Sequence, residues 1–122
     1  MFNFKSANYF DPYFKNLAYY KTENINNLEL NVFNSQLNND FSTSKDGKLI
    51  VSQTKNYTFE TKFTNSVKII IDGKTLLADT NKYKTTTISQ NTMNLSANEI
   101  HNVHIEFSNV RITPVLKFKL VQ

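Results

Sequence analysis

The chain has no cysteine, no tryptophan, and only two glycines and two prolines in 122 residues. Without cysteine there is no disulfide, no thiolate metal site and no cysteine nucleophile, and the redox compartment stays undetermined. Gly47 and Gly73 stand alone, so a glycine-rich phosphate loop is excluded. No stretch approaches the ~20 consecutive apolar residues that a spanning helix needs. The opening Met1-Phe2-Asn3-Phe4-Lys5 lacks the apolar core of a signal peptide. A long amphipathic helical pattern is missing as well.

Asparagine is the commonest residue, at 18. With frequent Lys and Ile it fits an AT-rich coding bias of the low-GC bacterial kind. The sequons Asn56-Tyr57-Thr58 and Asn94-Leu95-Ser96 are what such usage produces by chance. Residues 45–89 carry eight lysines against Asp46, Glu60, Asp72 and Asp79, which equals the whole net charge of +4. A basic centre attracts anionic glycans, membrane surfaces or nucleic acid at long range. These lysines nevertheless sit singly at alternating positions, as on a solvated strand surface.

Residues 67–79 are the most informative segment. Val67, Ile69 and Ile71 alternate with Lys68, Ile70 and Asp72, and β-branched residues suit a pleated, half-buried surface. Asp72-Gly73 supplies two residues that tolerate positive φ, as a two-residue hairpin turn requires. Keeping Gly73 inside a helix instead would cost about 1 kcal/mol relative to Ala.

Other strands follow the same logic. Tyr57, Phe59, Thr61 and Phe63 share one face; Val103, Ile105 and Phe107 share another, as do Leu116, Phe118 and Leu120. Thr64-Asn65-Ser66 reads as a turn, and a second Asp-Gly pair, Asp46-Gly47, reads as a hairpin turn opening a strand at 48–52. Leu28, Leu30 and Val32 mark an early strand, residues 34–45 a polar loop anchored by Leu37 and Phe41, Asn81 to Lys84 a loop, and Thr85 to Ile88 a short strand. Residues 1–27 are irregular and aromatic-rich; disordered segments are poor in aromatics, so this is expected to be an arm docked on the body. The fold expected is all-β, an antiparallel β-sandwich of about eight to ten short strands with an aromatic-rich N-terminal wrapping arm. Residues 1–122 form one domain, with 1–27 the arm and 28–122 the body.

Catalytic constellations are hard to assemble. His101 and His104 are the only histidines, and a spacing of three puts them on opposite faces of a strand, unsuited to a shared metal. His101 falls in phase with the core, whereas His104 lies beside Asn102 and Glu106. No serine and carboxylate are placed to complete a triad with either. The acid pairs Asp72 with Asp79 and Glu60 with Glu106 are turn, strand-end and outward strand positions, without the raised-pKa setting of a glycosidase. Calcium needs several converging oxygens, for which Asp72, Asp79 and Asn81 are loosely spaced. Lys82-Tyr83-Lys84 with Tyr57 and Phe59 would make a nucleic-acid platform only if those rings left the core.

An ordered series of motifs goes further. Lys55-Asn56-Tyr57-Thr58-Phe59, then Thr64-Asn65-Ser66-Val67-Lys68-Ile69-Ile70-Ile71-Asp72-Gly73-Lys74, then Met93-Asn94-Leu95-Ser96-Ala97-Asn98, Val103-His104-Ile105-Glu106-Phe107 and Leu116-Lys117-Phe118-Lys119-Leu120 resemble the anthrax protective antigen N-terminal domain family. Tyr9-Phe10 and Phe14 resemble its aromatic opening. The match covers most of the chain, most strongly from Gly47 to Leu120. The resemblance implies a β-sandwich without catalytic activity, found in binary-toxin binding components, glycosidases and sugar-recognising adhesins. In the adhesins two adjacent aspartates before this hairpin hold calcium, and here Thr64-Asn65 take their place. The final strand lacks the tryptophan of many members, and no basic run fits the toxin branch's protease-cleavage site.

The function expected is therefore a non-catalytic recognition module, not an enzyme, part of or associated with a bacterial toxin or surface protein. It would bind a glycan or cell-surface receptor through Thr64, Asn65, Asp72, Lys74, Asp79 and Asn81. No cofactor is expected; calcium is the one considered, with Asp72 and Asp79 as its candidate ligands. The alternatives are an assembly or processing domain of an oligomeric toxin, contacting a sister component, and a small basic nucleic-acid-binding β-barrel. An extracellular or cell-surface location is expected, after release from a longer or lysis-released product.

Overall fold

A computed structural model describes residues 2–9, 17–25, 29–31, 41–80, 86–109 and 113–121. Among the described residues ten strands and no helix occur. They are β1 (Phe2–Tyr9), β2 (Leu17–Ile25), β3 (Glu29–Asn31), β4 (Phe41–Leu49), β5 (Lys55–Phe63), β6 (Ser66–Ile71), β7 (Lys74–Asp79), β8 (Thr87–Leu95), β9 (His101–Asn109) and β10 (Leu116–Leu120). A six-stranded sheet has the order β2-β1-β4-β9-β6-β7, and a four-stranded sheet the order β3-β10-β5-β8. Every pairing is antiparallel. This is the expected β-sandwich.

Alternation explains which face each strand turns inward. Tyr57, Phe59, Thr61 and Phe63 of β5 are buried, as are Val67, Ile69 and Ile71 of β6 and Val103, Ile105 and Phe107 of β9. Leu116 and Phe118 of β10 close the core, with the Phe59 and Phe118 rings stacked at 5.2 Å between centroids and 7° between planes. The β6–β7 turn forms as expected, with φ of 52° at Asp72 and 76° at Gly73. A bulge between Ile69 and Ile70 shifts the register, where strict alternation fails in the sequence.

Four local expectations are corrected. Asp46-Gly47 is not a turn; it lies inside β4, opposite His104 and Val103 on one side and Lys5 and Phe4 on the other. Strand partners on both edges satisfy the backbone there, and that pairing overrides the local turn signal. The same pairing carries β4 back to Phe41, into the segment read as a loop. The N-terminal segment does dock on the body, but as a hairpin: β1 pairs β4 and β2 pairs β1. The strand expected near Thr85 to Ile88 is the nine-residue β8. Its polar run Ser89-Gln90-Asn91 hides it, because an edge strand needs little apolar alternation. The expected anchor Leu37 and the loop residues Asn81 to Lys84 lie outside the described residues.

Candidate functional site

The expected ligand residues separate into two groups at opposite ends of β6. Thr64 and Asn65 precede the strand, while Asp72 and Lys74 follow it. At ~3.4 Å per residue, the six residues of β6 hold the groups roughly 20 Å apart. Asp79 lies opposite Val67, at the Thr64 end. Asp72 and Asp79 thus sit at the two ends of the β6–β7 hairpin and cannot share an ion. Asn81 lies outside the described residues.

At the first end, a polar node is built into the core. Thr64 is 2% exposed, and Asn65 and Asn109 are fully buried. Thr64 Oγ1 donates to Asn109 Oδ1 at 2.7 Å, and Asn65 Nδ2 donates to the same oxygen at 2.9 Å. Thr64 Oγ1 also accepts from the Val115 N–H at 3.1 Å, while the Thr64 N–H donates to the Val115 carbonyl at 3.0 Å. Asn65 holds φ at 55°, a left-handed conformation that Asn tolerates better than most residues. The node joins β5, β6, β9 and the approach to β10, and so fixes the Thr64–Ser66 loop to a rigid scaffold. Asn109 is not among the residues expected from the sequence. Its signal is a polar residue at the end of β9, in phase with Val103, Ile105 and Phe107.

At the other end, His101 braces two turns. Its Nδ1 lies 2.6 Å from Asp72 Oδ2 and its Nε2 lies 2.8 Å from the Ser96 carbonyl. The second Asp72 oxygen accepts from the Asn102 N–H at 2.8 Å. Burial pulls the His101 pKa down, but the Asp72 hydrogen bond, the Ser96 carbonyl and the charges of Asp72 and Glu99 outweigh it and raise it above the ordinary value. Burial pushes Asp72 up, but the His101 and Asn102 hydrogen bonds and the charges of His101 and Lys74 lower it overall. Both ring nitrogens of His101 face acceptors, so the geometry calls for the imidazolium. A Ser, a His and an Asp do meet here, but the serine contributes its carbonyl rather than its hydroxyl.

His104 is held in the same manner on the outer face. Its Nδ1 approaches Asp46 Oδ1 at 2.5 Å and its Nε2 lies 2.8 Å from Glu106 Oε2. Burial lowers its pKa, and the two carboxylates more than reverse that, leaving it raised. The histidines thus face opposite sides of β9, as their spacing predicts.

The PA14 domain family profile matches residues 4–116. The chain belongs to the PA14 domain family. Among curated protein sequences none matches it. Solved structures similar to this PA14 domain include a GH31 α-xylosidase from Xanthomonas citri, at 13% identity and a TM-score of 0.71 over 95% of this chain. An anti-sigma factor domain-containing protein from Clostridium clariflavum matches at 12% identity and 0.76 over 100% of the chain. A β-glucosidase from Kluyveromyces marxianus, in complex with glucose, matches at 13% and 0.65 over 96%. The chain corresponds to only 13%, 43% and 15% of those proteins, respectively. At such identities the likeness establishes the fold.

Calcium takes six to eight oxygen ligands, commonly with carboxylates among them. In this PA14 domain the pair before the hairpin is Thr64-Asn65, with no carboxylate, and Asn109 Oδ1 already accepts two hydrogen bonds. Among the described residues no group of three or more His, Asp or Glu is placed to hold a metal ion. The node does not fit calcium; hydrogen bonds among neutral side chains hold the loop instead.

A cavity of about 420 Å³ opens near the Asp72 end, lined by Ile50, Val51, Gln53, Tyr57, Leu120 and Val121 among others. The Tyr57 hydroxyl donates to the Gln53 carbonyl at 2.5 Å, and the Lys55 ammonium lies 5.1 Å from the Tyr57 ring centre. Tyr57 is 6% exposed and Phe59 is fully buried, so neither offers a stacking surface for nucleic-acid bases.

Proposed function

We propose that this PA14 domain is a non-catalytic carbohydrate- or cell-surface-recognition module that binds at the sheet end where the half-buried Ser66 and Asp79 lie, over the buried Thr64–Asn65 pair. The observation that carries this reading is the buried Thr64–Asn65–Asn109 node, which fixes the Thr64–Ser66 loop with neutral hydrogen bonds. Recognition by a fixed loop on a rigid scaffold is a common use of such geometry. The glycosidases of similar fold supply the carbohydrate context, and family membership supports recognition rather than chemistry. A non-catalytic role is further supported by the histidines: each has both ring nitrogens engaged by acceptors, leaving neither as a general base. The parent is proposed to be a bacterial toxin or surface protein working outside the cell. On a glycan array the full chain is expected to bind, and to bind equally in calcium and in EDTA. Binding that disappears in EDTA would refute the metal-free route.

A second reading, contact with a protein partner during assembly, is favoured by β8. Its nine residues carry no charge, and among the described residues no strand pairs its outer edge. Edge strands are usually guarded by lysine, proline or a bulge against pairing with another chain. Sedimentation of the full chain is then expected to show self-association, or uptake of a sister component, that Gln90→Lys with Thr92→Lys abolishes. A monomer that takes up no partner would exclude this reading.

A further inference from the structure

The inner faces of the two sheets run out at the end of the sandwich where β5 begins and β10 finishes. On β5, Lys55 is in phase with the buried Tyr57 and Phe59, so its side chain leaves the strand on the core side although the residue is exposed. Its ammonium lies 5.1 Å from the Tyr57 ring centre, and its partner across the sheet, Leu95, is buried. Alternation calls for an apolar residue at this position. A cation takes it instead.

The cavity of about 420 Å³ beside it is walled by Ile50, Val51, Leu120 and Val121, and its size falls within the ~300–1,000 Å³ of small-molecule sites. Those walls are pinned. The Tyr57 hydroxyl donates to the Gln53 carbonyl at 2.5 Å, and the Asn98 N–H donates to the Val51 carbonyl at 2.8 Å. The Ala97 N–H donates to Thr54 Oγ1 at 2.8 Å, and the Val121 N–H donates to the Thr58 carbonyl at 2.9 Å. The site is therefore formed before any ligand arrives. Ile50 and Val121 are nonetheless 49% and 41% exposed, large apolar side chains left at the rim.

Among the described lining residues Lys55 is the one that carries a charge, with Ser52 and Gln53 as polar neighbours. The contact with Tyr57 holds the ammonium in place without cancelling its charge. The complement to such a lining is one negative group on an aliphatic body. A sugar ring would need an open aromatic face, whereas Tyr57 is 6% exposed beneath Lys55. The volume lies toward the lower end of the small-molecule range, which suits a single short chain rather than a two-chain lipid.

We propose that this cavity binds a medium-chain fatty acid, its carboxylate paired with Lys55 and its chain laid against Ile50, Val51, Leu120 and Val121. The site lies at the other end of the sandwich from Ser66 and Asp79 and is independent of the carbohydrate reading.

The test is calorimetric titration of the full chain, at neutral pH and below micelle-forming concentrations, with hexanoate, octanoate, decanoate and the uncharged octanol. Octanoate is expected to bind and to raise the melting temperature, with affinity rising about two- to fourfold per added methylene from hexanoate to decanoate. Lys55→Gln should weaken octanoate binding about fivefold or more while changing octanol binding by less than about twofold. Lys68→Gln, an equal loss of charge on the other sheet, should change octanoate binding by less than about twofold. Val121→Asp, which sets a carboxylate at the rim, should weaken it about tenfold. The chain-length series is read on the parent protein and needs no variant to fold. An affinity flat with chain length, a lower melting temperature, octanol bound as tightly as octanoate, or equal losses in Lys55→Gln and Lys68→Gln would overturn the proposal. So would binding to phosphatidylglycerol vesicles with no free fatty acid bound. None of these outcomes bears on the glycan array, and an array without binding leaves this site standing.

Discussion

Asn109→Ala is expected to lower the stability of the fold by about 3 kcal/mol, read as a lower urea midpoint at unchanged m-value. Asn109 is fully buried, and its Oδ1 accepts from both Thr64 Oγ1 and Asn65 Nδ2. Truncation leaves two buried donors without that acceptor, each costing about 1–3 kcal/mol. The Thr64 hydroxyl can turn toward the Val115 carbonyl, now 3.5 Å away, so most of the loss falls on Asn65. Asn65 is also the residue whose positive φ the node maintains. A change within about 0.5 kcal/mol, the range of ordinary surface substitutions, would show that the node does not hold the loop.

The second large effect is the pH dependence of the His101 brace. The folded pKa of His101 is raised above its ordinary value of 6.5. Its stabilisation is therefore complete below pH 6.5 and is lost as pH rises through the folded value. Asp72 has the opposite sign: lowered from 3.8, it contributes fully above that value and loses its contribution as pH falls through the folded one. Between those limits, around pH 5.5, the pair is at full strength. His101→Gln should cost about 1–2 kcal/mol there, a range kept below that of a fully buried charged hydrogen bond because the Asp72 side chain is 39% exposed. The cost should shrink toward pH 9. His104 is raised by Glu106 and Asp46 in the same direction, so only the double variant His101→Gln, His104→Gln should flatten stability between pH 6 and 9. Denaturant titrations across that range check this; a parent protein that gains stability from pH 6 to 8 would contradict it.

The strands with clean alternation are legible in the amino-acid pattern itself. Tyr57 to Phe63, Val67 to Ile71, Val103 to Phe107 and Leu116 to Leu120 each turn one apolar face inward, and Asp72-Gly73 turns as its backbone preferences demand. Asp46-Gly47 misleads, because the same dipeptide is tolerated inside a strand paired on both edges. β8 reads as shorter than it is because an edge strand made of Ser, Gln, Asn and Thr carries no apolar rhythm. The site is less legible than the fold. The Thr64–Asn65 position emerges from the motif order, but its partner Asn109 lies more than forty residues away in sequence. Lys55 and Val121 likewise meet at one cavity only through the fold. Local pattern reveals which face a residue occupies, whereas strand order and register decide what it meets there.

We propose that this PA14 domain recognises carbohydrate without calcium, beside a loop fixed by the Asn109 node. The most direct measurement is a glycan array of neutral and acidic sugars probed with the full chain in calcium and in EDTA. The predicted result is binding of the same glycans at equal strength in both buffers. Absence of binding to every glycan, or binding only in calcium, would contradict the account.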